Sequence, residues 1–272
     1  MEFNKMKKTP VTIIKLGGSV VTDKTKNQHF REDVVRQLAS EMAEYFNAND
    51  EMCLIGHGQG SFGHPVVKQN RQHFVDRASF QPQTMAEMLR VVSRLHELLL
   101  DELVAAGLPA TSFRLSQQLV LQPERAPAIN VELLDSLFDL QMIPVTTGDV
   151  VVDSERGNRV LSTETIFLNL INHLVKSKQY QVERVVYVTQ VQGVLDHDRK
   201  LIAHIHADEQ IDQSMFYTEK NQIDVTGSMK HKVEAAQTVA RMGIPVAILS
   251  PAKPANLSNY LRGEKWVGTS IE

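Results

Sequence analysis

Residues 56–65 read GHGQGSFGHP, a run with four glycines in its first eight positions. The run follows an apolar stretch, residues 52–55, whose letters MCLI predict a buried strand. Glycine loses much conformational entropy on folding, so a segment this rich in glycine needs a structural reason. The usual reason is a backbone that comes close to a phosphate. The run therefore predicts a loop that binds an anion, and the competing interpretation is a glycine-rich surface loop.

A second glycine turn stands near the start of the chain, where residues 13–19 read IIKLGGS. Lys15 lies at the end of a predicted strand, and Lys24 follows a few residues later. Gly17 and Gly18 can leave backbone N–H groups free to face an anion. A plain turn with solvated lysines explains this segment equally well, because paired glycines are common in turns.

A third segment, residues 224–232, reads DVTGSMKHK and opens a helix predicted over 227–242. Thr226 is a candidate N-cap, and the unpaired N–H groups of a first helical turn attract anions. Lys230 and Lys232 oppose the helix dipole there, a conflict that a bound polyphosphate would relieve. A capped helix with solvated lysines is the alternative. Three such segments in one chain suggest a nucleotide and a second anionic group.

Neither of two common nucleotide-binding loops explains these turns. The Walker A spacing, Gly-x-x-x-x-Gly-Lys followed by Ser or Thr, is missing from the sequence. Residues 58–63, GQGSFG, match the dinucleotide-binding spacing Gly-x-Gly-x-x-Gly. The acid expected about 20 residues further on, after a second strand, is absent. A dinucleotide-binding fold is therefore the weaker interpretation.

Short apolar runs alternate with longer helical patterns along the chain. Strands are predicted at 11–16, 52–56, 142–145, 184–188 and 245–249, and helices at 32–46, 84–106, 131–140, 162–175 and 227–242. This alternation is typical of an α/β fold, a three-layer αβα sandwich with a mostly parallel central sheet. We expect a single domain over residues 1–272, with an N-terminal lobe of about 1–170 and a C-terminal lobe of about 171–272.

The composition argues against several classes of protein. Among 272 residues, 29 are basic and 32 acidic, and this net charge of −3 gives no reason to expect nucleic acid or a membrane surface as partner. The sequence contains no run of about 18 apolar residues, the length needed to span a membrane. The single cysteine, Cys53, rules out an intrachain disulfide and favours a cytoplasmic location. His204 and His206 are too few for a metal site, and none is predicted.

Taken in order, the three segments resemble the amino acid kinase superfamily. Residues 13–19 are similar to its opening strand and glycine turn, and residues 187–194, YVTQVQGV, to its motif Thr-Asp-Val-Asp-Gly-Val. Residues 224–229 together with Lys232 resemble its Asp-Val-Thr-Gly-Gly-Met segment. Residues 60–65, GSFGHP, are similar to the Gly-Ser-Phe-Gly-His-Pro run of the isopentenyl phosphate kinases. Fosfomycin kinase shares the Ser-Phe-Gly-His part.

The resemblance extends from about residue 11 to 250 and implies phosphorylation of isopentenyl phosphate to its diphosphate by ATP. It implies an acceptor-binding N-terminal lobe, a nucleotide-binding C-terminal lobe, Mg²⁺ carried in with ATP, and a homodimer. Lys15 would bridge the transferring phosphoryl group, and Asp149 would orient the region of that lysine. His64 would bond the acceptor phosphate. Such chemistry depends on positioning and charge neutralisation rather than on a covalent nucleophile.

Two larger sets of site residues follow from the same resemblance. Those expected at ATP are Gly17, Gly18, Lys24, Gly193, Asp224, Thr226, Gly227 and Lys232. Those expected at the acceptor are Gly58, Gln59, Gly60, Gly63, His64, Met85, Met88 and Leu89. The last three form an apolar stripe on the helix after the glycine run, near which the family places a pocket for the substrate's tail. Spacings of three and four are also typical of a helix that packs on a core.

Gln59 departs from the family pattern, which usually has glycine at this position. Its backbone N–H can still serve the acceptor phosphate if the residue adopts a conformation open to any side chain. Its long side chain could instead reshape the acceptor site.

Three further residues depart from the pattern. Gln190 and Gln192 replace two acids of the nucleotide motif, and Glu164 stands where the family commonly has aspartate, at longer reach. These departures leave two alternatives open. One is a kinase of the same fold that acts on another small phosphate or a phosphonate such as fosfomycin. The other is a non-catalytic nucleotide-binding homologue.

Overall fold

The computed structural model describes residues 8–123, 129–210 and 229–272. The strands are β1 Thr9–Leu16, β2 Met52–His57, β3 Ala110–Ser112, β4 Val120–Leu121, β5 Ile143–Thr147, β6 Asp149–Asp153, β7 Gly157–Leu161, β8 Tyr180–Val188, β9 Val194–Leu195, β10 Leu201–Ile202, β11 His204–Ile205, β12 Val246–Leu249 and β13 Gly268–Ile271.

The helices are α1 Gly18–Val21, α2 Glu32–Phe46, α3 Gly60–Gln69, α4 Pro82–Ala105, α5 Val131–Asp139, α6 Thr163–Lys176, α7 Met229–Ala240 and α8 Asn256–Leu261. Three short 3-10 turns join them, Arg71–Phe74, Arg77–Ser79 and Leu115–Gln117. The 24-residue α4 is the longest helix described, and neither it nor any other described helix is long and apolar enough to cross a membrane.

An eight-stranded sheet forms the centre of the fold, in the order β11-β13-β12-β8-β1-β2-β5-β3. The six strands from β12 to β3 are parallel. At the other end, β13 runs antiparallel to β12, and β11 pairs in parallel with β13. The prediction of a mostly parallel sheet is confirmed. The sheet is continuous from the N-terminal to the C-terminal part of the chain, because β1 pairs directly with β8; the division into two lobes stays a prediction.

Each face of the sheet carries its own core, which completes the three layers. Along β1, Val11 and Ile13 enter one core, and Ile14 and Leu16 enter the other. A strand in the middle of a parallel sheet is buried on both faces, which explains the unbroken apolar run of its sequence. Helices α5, α6 and α7 supply the first core, and helices α2, α3, α4 and α8 supply the second. The buried Cys53 belongs to the second core.

The glycine run of residues 56–65 was expected to be a loop, and this expectation was wrong for its second half. Helix α3 begins at Gly60 and contains Pro65. Proline has no N–H, so the carbonyl of Ser61, one turn earlier, has no helical donor. That carbonyl accepts a hydrogen bond from the N–H of Gln28 at 3.2 Å, and the Ser61 hydroxyl accepts one from the N–H of His29 at 3.2 Å. The connection between α1 and α2 thus supplies the hydrogen-bond donor that the Ser61 carbonyl lacks within the helix.

The parallel strands all end at one edge of the sheet. Strands β1, β2 and β5 end at Leu16, His57 and Thr147, and a glycine turn follows each of them. In the strand order, β1 has β2 as its neighbour on one side and β8 on the other, so the order of the strands changes direction at β1. In open parallel sheets, ligands bind at the carboxyl ends of the strands next to such a change of direction. The fold therefore brings the predicted glycine turns together where a ligand is expected.

Candidate functional site

The glycine turns after β1 and β2 touch backbone to backbone. A Cβ atom on Gly18 would lie 2.6 Å from the backbone nitrogen of Gly60, and one on Gly58 would lie 2.6 Å from that of Gly18. Gly60 in addition has a φ of +48°, a left-handed conformation that favours glycine. No side chain fits between the two turns, so they form one continuous surface. We call the surface made by residues 17–19 and 58–60 the glycine junction.

Backbone N–H groups of the glycine junction are available to a ligand. Within the described residues, the N–H groups of Gly18, Ser19, Gln59 and Gly60 have no hydrogen-bond acceptor. The next N–H, that of Ser61, is bonded to Thr22 Oγ1 at 2.9 Å. Unpaired N–H groups clustered at the beginnings of two helices carry partial positive charge, which suits an anion such as phosphate.

Lys15 lies beside the glycine junction and is paired with a carboxylate. Its Nζ is 2.6 Å from Oε1 of Glu164, which stands in the first turn of α6. Ser162 caps this helix, accepting a hydrogen bond from the Thr165 N–H at 3.1 Å. Burial acts to raise the pKa of Glu164, but the charge and hydrogen bond of Lys15, a hydrogen bond from the residue's own backbone N–H and the charge of Lys232 together hold that pKa below its usual value. The carboxylate therefore stays ionised near neutral pH.

Two predicted site lysines come together around this carboxylate. Lys15 contacts Glu164 directly, and the charge of the partly buried Lys232 in α7 acts on the same side chain. The two lysines belong to the first and third segments of the sequence pattern, at opposite ends of the chain. The fold thus brings two predicted site lysines within electrostatic reach of one carboxylate.

Asp149 is fully buried and bound by an arginine. Arg114 donates two hydrogen bonds to it, from Nη2 to Oδ1 at 2.7 Å and from Nε to Oδ2 at 3.1 Å. The N–H of Ser116 adds a third bond at 3.2 Å. The carboxylate in contact with Lys15 is that of Glu164, so any influence of Asp149 on the lysine acts through neighbouring groups. Its catalytic role stays a prediction, and Arg114 is a partner that no sequence motif indicated.

Gln59 ties the turn after β2 to the turn after β5. Its side-chain Nε2 donates to the carbonyl of Gly148 at 2.7 Å, and the side chain lies flat against Gly63. Its φ of −80° and ψ of −20° are open to any residue, so its N–H keeps the direction that the family's glycine would allow. Thr163 reinforces the link, donating to the carbonyl of His57 at 2.7 Å and accepting from the N–H of Gly148 at 2.9 Å.

A chain of hydrogen bonds leads from the glycine junction through the interior to the surface. Nδ1 of His57 is 3.1 Å from the carbonyl of Gly58, and its Nε2 is 2.9 Å from Nδ1 of His96. Nε2 of His96 is 3.0 Å from the hydroxyl of Ser112, an exposed residue. Burial lowers the pKa of His57 to about 4 and that of His96 to about 2, so both rings are neutral at pH 7.

The remaining residues predicted at ATP occupy different surroundings. Gly17 is buried next to Gly18, and its N–H donates to the carbonyl of Val188 at 2.9 Å, so the expectation that this N–H faces an anion was wrong. Lys24 is exposed in the connection between α1 and α2. Gly193 is buried in the turn between β8 and β9, where it packs on Leu201 and Thr269. Asp224, Thr226 and Gly227 lie outside the described residues, and the ATP contacts of this whole set stay predictions.

The residues predicted at the acceptor lie in the turn after β2, on α3 and on α4. His64 is partly buried one turn into α3, close to the glycine junction. Met88 is fully buried in the core, as the structural interpretation of the apolar stripe requires. Met85 and Leu89 are partly buried and pack against that core. A tail pocket at this helix stays a prediction, and Met85 and Leu89 are the two members of the stripe with exposed surface.

Comparison with known proteins places the chain among kinases. The model of the amino acid kinase family matches residues 10–250. The curated isopentenyl phosphate kinase of Methanothermobacter thermautotrophicus is 31% identical over 278 residues, covering 95% of this chain and 98% of its own. The isopentenyl phosphate kinase of Methanocaldococcus jannaschii is 29% identical over 269 residues, with coverage of 96% and 98%.

Solved structures agree with the sequence comparison. A structure described as X-ray structures of isopentenyl phosphate kinase superposes with a TM-score of 0.77 at 27% identity, covering 96% of this chain and all of the other. A substrate complex of an isopentenyl phosphate kinase gives a TM-score of 0.73 at 20% identity, which shows a shared fold. The family model matches residues 10–250, most of the chain, and this protein therefore belongs to the amino acid kinase family.

Proposed function

We propose that this protein transfers the γ-phosphoryl group of ATP to isopentenyl phosphate, giving isopentenyl diphosphate and ADP. A phosphate oxygen of the acceptor forms the new bond to the γ-phosphorus, and the bond between that phosphorus and the β–γ bridging oxygen breaks. The observation that carries the proposal is the glycine junction, with its unpaired N–H groups beside the Lys15–Glu164 pair. The identities of 31% and 29% to isopentenyl phosphate kinases over nearly the whole chain support this acceptor.

The chain's own residues would supply position and charge. The turn after β1 would offer the N–H groups of Gly18 and Ser19 to the phosphates of ATP, because that of Gly17 donates to the carbonyl of Val188, and Lys232 would face them from α7. The turn of residues 58–60, together with His64, would hold the acceptor phosphate. Because the two turns touch, both phosphates would be held side by side, which is the main requirement of phosphoryl transfer.

Lys15 would neutralise the charge that develops on the transferring group. Its pairing with Glu164 keeps the ammonium in one place, so little reorganisation is needed during the reaction. No general base is required, because a phosphate monoester with a second pKa of about 6 is already largely ionised at pH 7. His64 and Asp149 are accordingly assigned to binding and positioning and not to removal of a proton.

Magnesium would enter with the nucleotide. Among the described residues, no three histidine, cysteine, aspartate or glutamate side chains are grouped in a way that could hold a metal ion. The carboxylates of Glu164 and Asp149 already bind Lys15 and Arg114. Phosphate oxygens and water are ligands that Mg²⁺ commonly uses in kinases, and the residues present fit a metal carried in this way. When bound, the ion would neutralise phosphate charge.

The proposal is tested by ADP release from purified protein with Mg-ATP, comparing isopentenyl phosphate with fosfomycin. We expect turnover of isopentenyl phosphate that is lost in Lys15→Ala. Turnover of fosfomycin alone would assign the second acceptor, and ATP binding without turnover of either compound would indicate a non-catalytic homologue. Both results would overturn the proposal. Light scattering would test the homodimer that the family resemblance implies, and cell fractionation would test the cytoplasmic location that the single cysteine favours.

A further inference from the structure

We propose that His96 and Ser112 are positioning residues for the acceptor, which act by holding His57 in the tautomer that donates to the carbonyl of Gly58. The inference deepens the proposed function and rests on it in one respect, that the turn of residues 58–60 binds the acceptor phosphate. Neither His96 nor Ser112 belongs to that turn. Their connection to it is the chain of three hydrogen bonds through the two imidazoles.

One distribution of protons satisfies every member of this chain. The carbonyl of Gly58 can only accept, so Nδ1 of His57 must carry a proton. The hydroxyl of Thr147 is 3.5 Å from the same nitrogen, but it lies closer to the carbonyls of His57 and Gly148, at 3.2 and 3.1 Å, and donates there. In a neutral ring Nε2 of His57 is then an acceptor, and Nδ1 of His96 must donate to it. Nε2 of His96 in turn accepts from the hydroxyl of Ser112. The three bonds therefore run in one direction, from the surface to the glycine junction.

Burial keeps both rings neutral and so preserves this direction. The side chains of His57 and His96 have no exposed surface, and desolvation is the first cause of the low pKa of each ring. The charges of Arg114 and Lys15 lower the pKa of His57 further, and those of His57 and Arg114 lower that of His96. With neither ring protonated on both nitrogens, the tautomer of one fixes the tautomer of the next.

The last bond of the chain sets the direction of an N–H in the glycine junction. The carbonyl of Gly58 and the N–H of Gln59 belong to one planar trans peptide, so they point in opposite directions. Within the described residues, His57 is the one donor to that carbonyl. By fixing the carbonyl, the imidazole turns the N–H of Gln59 the other way, and this is one of the N–H groups that lacks an acceptor. The ring thus prepares a donor for the acceptor phosphate.

A histidine pair that serves only the core is the competing interpretation, and three variants separate the two. His96→Asn places an amide N–H near the position of Nδ1 and can still donate to His57. His96→Leu fills similar space without a donor. Ser112→Ala leaves both rings in place and removes the donor at the exposed end, and Ser136→Ala, an exposed serine on α5, is its matched control.

The measurements are the KM of each substrate and the tautomer of His57, read from nitrogen-15 NMR of the imidazoles. We expect His96→Leu to raise the KM of isopentenyl phosphate about tenfold with little change for ATP, the size expected for one misplaced hydrogen bond. His96→Asn should restore the KM to within about threefold of the wild-type value. Ser112→Ala should convert His57 from a single Nδ1–H tautomer to a mixture, and Ser136→Ala should change neither quantity.

Several outcomes would overturn the inference. One is a wild-type His57 that carries its proton on Nε2. Others are equal changes in both KM values for His96→Leu, or an unaltered His57 tautomer in Ser112→Ala. If His96→Leu does not fold, the asparagine and serine variants still decide the question. If the wild-type protein does not turn over isopentenyl phosphate, the proposed function fails, and the NMR signals still test the hydrogen-bond chain separately.

Discussion

The ammonium of Lys15 lies 2.6 Å from the carboxylate of Glu164, and the two side chains are only 8% and 21% exposed. Lys15 comes from the central strand β1, and Glu164 from the first turn of α6, a helix that covers one face of the sheet. A pair this buried contributes little net stability, because desolvation offsets most of the attraction. Its effect is to fix the position of a charged lysine beside the glycine junction.

Replacing Glu164 with glutamine should therefore impair turnover more than binding. The lysine loses its charged partner and can occupy other positions, so we expect kcat to fall about 10- to 100-fold with a smaller change in the KM of isopentenyl phosphate. Steady-state ADP release gives both numbers. Glu164→Asp, which restores the charge and the family's commoner residue, is the control and should recover most of kcat. An unchanged kcat in the glutamine variant would contradict the role assigned to the pair.

Gly18→Ala should abolish phosphoryl transfer. The new Cβ would lie 2.6 Å from the backbone nitrogen of Gly60, so the two turns of the glycine junction must separate. Gly263→Ala is a suitable control, because this glycine also resists substitution, with a φ of +71°, but has no atom within 4 Å of the Cβ position. It should cost about 1 kcal/mol of stability and leave kcat unchanged. ADP release and thermal unfolding distinguish the two effects, and normal activity in Gly18→Ala would refute the junction.

Gln59→Gly, which restores the residue usual in the family, should be tolerated better than Gln59→Glu. The glycine variant loses the hydrogen bond to Gly148 and gains freedom in the unfolded chain, a cost of about 1–2 kcal/mol in the free energy of unfolding. The glutamate variant places a charged acceptor opposite the Gly148 carbonyl and beside the expected acceptor phosphate. We expect it to raise the KM of isopentenyl phosphate far more than that of ATP. The opposite order of the two variants would show that Gln59 does not face the acceptor.

Stability should decrease as the pH falls below about 6.5, the unfolded pKa of histidine. The folded-state pKa of His57 is about 4 and that of His96 about 2, so the unfolded chain binds more protons across this window. The free energy of unfolding therefore rises with pH, and the contribution of the two histidines is fully present above about pH 6.5. Between pH 4 and pH 6.5, His57 alone contributes about 3 kcal/mol.

Urea unfolding between pH 5 and 6.5 measures this contribution before most carboxylates titrate. Removing one of the two buried histidines with His96→Asn should reduce the slope of stability against pH to roughly half of its histidine part. Ser136→Ala, which removes an exposed hydroxyl on α5 and no titrating group, should leave the slope unchanged. Equal slopes for the wild-type protein and His96→Asn would show that the pair is not held neutral.

The parts of the fold that could be predicted from the sequence are those that depend on the local spacing of apolar residues. Helix α2 begins and ends where the spacing of Val35, Leu38 and Met42 predicts, and β1 follows its apolar run. The hairpin of β6 and β7 was missed, although Asp153 accepts the N–H groups of Glu155 and Arg156 and Gly157 has a positive φ. This turn, read as an Asx-turn followed by glycine, was the available signal.

Two glycine turns that bind anions could be anticipated from the sequence, but their packing of backbone on backbone, where only glycine fits, was not predicted. The roles of Arg114 and His96 could not be anticipated from the sequence, because tertiary packing determines which residues they contact. His96 stands in α4 between Val92, Leu95 and Leu99, where the helical spacing indicates only a buried face. Its hydrogen bonds to His57 and Ser112 depend on how α4 packs across the sheet, and the local sequence does not predict that packing.

Pro65 has an effect beyond its own helix. Because Pro65 leaves the Ser61 carbonyl without a helical donor, that carbonyl accepts a hydrogen bond from the backbone N–H of Gln28, and the Ser61 hydroxyl accepts one from that of His29. Those two residues close the segment that carries Lys24, which ends at the bridge between Thr22 and Phe30. A shift of α3 would therefore act directly on this segment through the two hydrogen bonds to Ser61. One serine thus joins the helix expected at the acceptor to the loop expected at the nucleotide.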